Sequence, residues 1–111
     1  MTVKLDDLPP SVRIGPHDIE IGFFDGKTAR KEFGAFQNAD AKILLCKEYA
    51  LGSQAVDTLL HEICHAAFWT AGVNFKHEFE EPLCGMLGMM LTQIIRDNPE
   101  LVKWMQATVT K

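Results

Sequence analysis

From Ser53 to Gly72 the apolar residues fall at positions 56, 59, 60, 63, 64, 67 and 68, the spacing of a helix with one face turned to a core. Ser53 after Gly52 is the expected N-cap, and Gly72 the expected C-cap. Set into this apolar helix are three polar residues, His61, Glu62 and His65, flanked by Leu59, Leu60, Ile63, Cys64, Ala66, Ala67 and Phe68. Two imidazoles and a carboxylate buried without partners cost several kcal/mol, so whatever packs here must supply them. No other segment constrains the chain so strongly.

The residues before it have a different period. Ile19, Ile21 and Phe23 alternate with Glu20 and Gly22, the pattern of a half-buried strand, and Asp25-Gly26 supplies a turn. Gly15-Pro16 marks another turn, which makes Val12 to Ile14 a short partner strand. Lys42 to Lys47 reads as a third β segment, and Phe33 to Gln37 pairs with it through Asn38-Ala39-Asp40. The first ten residues, ending Leu8-Pro9-Pro10, are expected to be a loosely held lead-in.

Beyond Gly72 a second helix is expected to start between Lys76 and Glu81, since Pro82 is tolerated only in or near a first turn, and to run to Arg96-Asp97. Asn98-Pro99-Glu100 then opens a short last helix, to about Thr108, docking through Leu101, Trp104 and Met105. Methionines 86, 89, 90 and 105 offer a partner surface, although at helical spacing they more often fill a core. A small, mostly antiparallel sheet followed by three helices, without βαβ alternation, predicts one α+β domain over residues 1–111.

Residues four apart on a helix are about 40° apart in azimuth and about 6 Å apart along the axis. His61 and His65 therefore leave one face and can grip a single ion, while Glu62 stands beside that face and can hydrogen-bond a water on the ion. This HExxH arrangement has the donors of a zinc centre and a general base next to it. The ordinary reading, two semi-buried histidines on an amphipathic helix, leaves the buried polar trio without partners, and the metal reading is favoured.

A third ligand is required. Phe68 and Ala71 exclude the HExxHxxGxxH version, and the next donors are His77-Glu78-Phe79-Glu80-Glu81. Part of that acidic run complements the dipole of the helix it opens. Glu81 shares a face with Gly85 and Gly88, a side suited to close packing, whereas Glu80 aligns with Cys84, Leu87 and Leu91 as ordinary core. Glu81 is favoured, His77 is the alternative, and both stand ahead of Glu80 and Glu78.

The run Thr58-Leu59-Leu60-His61-Glu62-Ile63-Cys64-His65-Ala66, with Glu80-Glu81, Leu87-Gly88 and Asp97-Asn98-Pro99-Glu100-Leu101, resembles a group of small phage-encoded zincin-like metallopeptidases. More broadly it is similar to the minimal gluzincin pattern, HExxH followed by a Glu on the next helix. The resemblance implies a zincin-like fold, Zn²⁺ as cofactor, and His61, His65 and Glu81 as ligands. It also implies an acidic or polar residue four positions past Glu81, where this chain has Gly85, so that one histidine lacks its usual orienting partner. SprT-like proteins share HExxHA but use a later His, which would promote His77; the ImmA/IrrE type shares the downstream Glu with a different helix signature. Zincins place an edge strand beside the metal, and Lys42 to Lys47 is the segment expected to add a substrate peptide by strand pairing.

On this reading the chain hydrolyses peptide bonds of a peptide or protein substrate. The ion polarises the carbonyl, and Glu62 takes a water proton and returns it to the leaving amine. Tyr49, His17 and His77 are the remaining candidates for an oxyanion donor, each with a more ordinary surface role. The alternative is a zinc-stabilised binding or regulatory module with little or no turnover. Eleven basic against fifteen acidic side chains argue against nucleic-acid binding. The lack of a long apolar window or a basic and apolar leader predicts no membrane span and a cytoplasmic location, the host's if phage-encoded. Cys46, Cys64 and Cys84, an odd set without a CxxC pair, are expected to be reduced and mostly buried.

Overall fold

The computed structural model describes residues 2–25 and 33–111. Gly26 of the expected Asp25-Gly26 turn lies outside them. The strands are β1 (Val3–Lys4), β2 (Ser11–Ile14), β3 (His17–Phe23), β4 (Gly34–Gln37), β5 (Lys42–Leu45) and β6 (Glu48–Tyr49), followed by α1 (Gly52–Ala71), α2 (His77–Asp97) and α3 (Pro99–Thr108). The chain is an α+β fold in which a small sheet is followed by three helices.

The main sheet has the order β2-β3-β5-β4. The β2–β3 hairpin and the β4–β5 hairpin are antiparallel, and the two hairpins join through a parallel β3–β5 pair in which Ile21 faces Ile43 and Phe23 faces Leu45. Alternation explains the core. Ile19, Ile43 and Leu45 are fully buried, and Leu59 and Ile63 of α1 pack on them together with Phe36. Burying each such side chain contributes about 2 kcal/mol.

Two expectations are corrected here. Residues 2–10 are not a loose lead-in. Val3 pairs with Tyr49 in the β1–β6 ladder, Leu5 donates its N–H to Lys47 O at 3.1 Å, and Leu5 and Leu8 pack against the core. Apolar residues in a proline-ended polar stretch found a surface to cover. Strand β5 is also not an edge. It is hydrogen-bonded to β3 on one side and β4 on the other, and among the described residues β4 is the edge on that side of the sheet.

Helix α1 starts two residues earlier than expected, with Leu51 in extended conformation as the N-cap in place of Ser53. It ends as expected at Gly72, whose φ of 69° a side chain would resist and which lets Val73 donate to Phe68 O at 3.0 Å. The first turn and a half of α2 includes Pro82 as its sixth residue. Helix α2 buries Cys84, Gly88 and Thr92, and the Gly85–Gly88 side lies against α1, as their shared face predicts. A Cβ at Gly88 would lie 3.1 Å from the His61 backbone nitrogen, so only glycine permits this approach.

Helix α3 does not dock as expected. Leu101 and Met105 are about half exposed and Trp104 is 62% exposed, and α3 buries none of its residues. Met86, Met89, Met90 and Met105 are likewise exposed and do not fill a core. Helical spacing places residues on one face but does not supply a partner to cover it. Among the described residues no helix is long and apolar enough to cross a membrane.

Candidate metal centre

His61 and His65 project from α1 toward the first turns of α2 with ring centroids 5.0 Å apart and their Nε2 atoms 3.3 Å apart. Glu81 meets both rings: its Oε1 lies 2.8 Å from His61 Nε2 and its Oε2 lies 2.8 Å from His65 Nε2. Bonds of about 2.0–2.1 Å to a tetrahedral ion separate neighbouring donors by about 3.3 Å, so the three atoms stand close to the corners such an ion needs. The donor set fits a metal ion on geometry and on chemistry. Of the two favoured third ligands, Glu81 is the one brought to the histidines. His77 lines the adjoining cleft and lies outside both donor groups found among the described residues; Glu78 is exposed.

Glu80 is the residue that sequence reasoning misplaced. Grouped with Cys84, Leu87 and Leu91 as core, it instead sets its Oε2 2.5 Å from His65 Nδ1. Consecutive residues on α2 thus address opposite nitrogens of one imidazole. The available signal was the crowding of three carboxylates in four residues, which calls for cationic or N–H partners nearby. A second donor group, His65 with Glu80 and Cys84, shares this imidazole. It is the weaker one, because burial first, and then the charges of Cys64, Glu80, Glu81 and Glu62, push the Cys84 thiol up to about 12 and keep it protonated. Burial likewise pushes the Cys64 thiol up, partly offset by its hydrogen bond with Cys84. All three cysteines are free, with Cys84 buried and the other two half-buried.

The electrostatics of the cluster are reciprocal. Burial pushes the His65 imidazole down, but the hydrogen bond to Glu80 and the charges of Glu62 and Glu81 outweigh it and hold it above its ordinary value. Burial pushes Glu81 up, and the charges and hydrogen bonds of His61 and His65 outweigh it and hold the carboxyl below its ordinary value.

Glu62 is buried, only 7% exposed. Strand β4 passes close above it, and Gly34 is what permits this: a Cβ there would lie 2.6 Å from Thr58 Cγ2 and 3.3 Å from Glu62 Cγ. Two hollows meet at Glu62. The larger, about 580 Å³, runs along Gly34 to Asn38 and includes His65, Trp69, Glu80 and Glu81; the smaller, about 170 Å³, lies by Phe33, Asp57 and His61. The strand edge therefore borders the whole cleft, with Glu62 midway.

The three oxyanion candidates are dispersed. Tyr49 is buried, donating its hydroxyl proton to Phe33 O and accepting from the Cys46 N–H at 3.0 Å. His17 lies against Trp69, ring centroids 5.2 Å apart. Only His77 borders the cleft. No protein-family model matches the chain, and no curated protein or solved structure matches it either.

Proposed function

We propose that this chain is a zinc-dependent metallopeptidase of zincin-like architecture, acting on an extended peptide or protein segment. The observation that carries the reading is the convergence of His61 Nε2, His65 Nε2 and Glu81 at 2.8–3.3 Å from one another, directly beside the buried carboxylate of Glu62. A binding site alone has no need of that carboxylate. The edge strand β4, which takes the place expected for Lys42 to Lys47, offers its outward N–H and C=O groups to a substrate backbone.

A zinc ion held by His61, His65 and Glu81 would supply a Lewis acid for the scissile carbonyl and for water. The chain's own residues then do the following. Strand β4 aligns the substrate so that its scissile carbonyl lies over Glu62. The Glu62 carboxylate removes a proton from the attacking water as the new C–O bond forms. It then delivers that proton to the amide nitrogen as the C–N bond breaks, so that a carboxylic acid and an amine leave. Glu62 ends as it began.

The test compares wild type with Glu62→Gln for bound zinc and for cleavage of a peptide library. Zinc in both, with cleavage by wild type and a 10²–10⁴-fold loss in the variant, is the expected result, the size being typical of general acid–base catalysis. Zinc in both with cleavage by neither would instead favour the second reading, a zinc-stabilised binding module. The exposed apolar side chains Met86 and Met90 of α2 and Leu101 and Trp104 of α3 are the observation on that side.

A further inference from the structure

A neutral imidazole carries one N–H and one bare nitrogen, and the hydrogen bond made by one nitrogen decides which is which. His65 Nδ1 faces Glu80 Oε2 at 2.5 Å, while His65 Nε2 faces Glu81 and His61. An ionised carboxylate only accepts. Both nitrogens thus meet carboxylates, Nε2 with Glu81 Oε2 at 2.8 Å; once an ion takes the Nε2 lone pair, the ring's remaining proton belongs on Nδ1, donated to Glu80.

Among the described residues no carboxylate is paired with His61 Nδ1, while its Nε2 meets Glu81. The position four past Glu81 is Gly85, and a Cβ there would sit 3.9 Å from His61 Nδ1, where a longer acidic side chain would otherwise reach that ring. The carboxylate set to orient an imidazole is instead that of Glu80, immediately before Glu81, and the ring is His65.

We infer that Glu80 is a positioning residue: it holds His65 in the Nδ1–H tautomer with Nε2 aimed at the ion, and takes no part in ligation. This rests on the metal reading above. Partners of this kind commonly change metal affinity 10–100-fold when removed.

The experiment uses the full chain as wild type, Glu80→Gln, Glu80→Ala and Glu81→Ala. Zn²⁺ affinity is measured against a competing chelator, and the His65 Nδ1–H proton is followed by NMR in the zinc-loaded forms; circular dichroism checks that each variant is folded. The expected result is one zinc per chain in wild type and both Glu80 variants. Glu80→Ala should bind about 10–100-fold more weakly, and Glu80→Gln, whose amide oxygen still accepts from Nδ1–H, should fall between it and wild type. The protected Nδ1–H signal should persist in Glu80→Gln and vanish in Glu80→Ala. Wild-type affinity in Glu80→Ala would overturn the role and leave the zinc site standing. Loss of the zinc in Glu80→Ala with retention in Glu81→Ala would make Glu80 a ligand, with His65 and Cys84, and overturn it differently. Absence of zinc uptake by wild type would sink the metal reading itself, and this role with it.

Discussion

The backbone of Gly88 rests on that of Asp57: a Cβ on Gly88 would stand 2.9 Å from the Asp57 carbonyl oxygen and 2.8 Å from its Oδ1. This contact sets the spacing of the two helices that carry the donors. Gly88→Ala must push backbone against backbone, so it should destabilise by about 1–3 kcal/mol, the usual cost of overpacking. It should also weaken zinc binding, because Glu81 recedes from the histidines. Gly85→Ala has 3.8 Å to its nearest neighbour and should be neutral, or stabilising by about 0.5–1 kcal/mol through helix propensity. Urea unfolding of the two variants checks this, and equal stabilities would contradict it.

Glu81 and His77 are separable by metal content. Glu81→Ala removes the carboxylate that touches both Nε2 atoms and should cost more than the loss of an outer partner, above about 100-fold in zinc affinity. His77→Ala leaves the trio whole and should hold zinc as wild type does. Elemental analysis after gel filtration at low free zinc distinguishes them; the reverse pattern would make His77 the third ligand.

Without metal, His65 and Glu81 stabilise each other, and their shifts set a pH window. The His65 value is raised on folding, so its contribution is fully present below its ordinary value of about 6.5 and is lost as pH rises through the raised value. The Glu81 value is lowered, so its contribution is present above its ordinary value of about 4.3 and is lost as pH falls through the lowered one. The chelated protein should therefore lose thermal stability as pH rises above about 6.5, and with excess zinc the trend should reverse, because protons compete with the metal for His65. Melting curves with chelator and with zinc test this. A chelated midpoint that climbs from neutral to alkaline pH would refute it.

Tyr49 has a structural task. Burial first, with Cys46 and Glu62 nearby, pushes its hydroxyl to about 12 against the lowering effect of the Cys46 N–H bond, so it remains a donor to Phe33 O at any physiological pH. Tyr49→Phe leaves that carbonyl and the Cys46 N–H without this partner and should cost about 1–3 kcal/mol. Zinc uptake should be unchanged. A variant with wild-type stability and impaired cleavage would instead return Tyr49 to the catalytic candidates.

Much of the fold is legible in the sequence, and each legible part has a local cause. The stripe from Val56 to Phe68 defined α1 because helical period depends on burial along one element. The i, i+4 spacing put His61 and His65 on one face because helix geometry is invariant. Gly72, Asn98 and Pro99 marked helix ends through backbone preferences that act within a few residues, and Gly88 announced a close approach that only glycine allows, whereas Gly85 on the same face has room for a Cβ.

What the fold alone decided lies between elements. Whether Lys42 to Leu45 is an edge or a centre depends on the parallel join of β3 to β5, which no local period encodes. Glu80 reaches His65 because α2 begins at His77 and crosses α1 at one particular rotation. A wheel for α2 ranks Glu80 with Cys84 and cannot say that an imidazole from another helix lies between its carboxylate and that of Glu81. Nor could the apolar spacing of Leu101, Trp104 and Met105 say what covers them, since amphipathicity specifies a face and not its partner. Local sequence determined which side chains share a surface; the packing of α1 on α2 and of β4 over Glu62 determined which surfaces meet, through contacts whose energies depend on residues far apart in the chain.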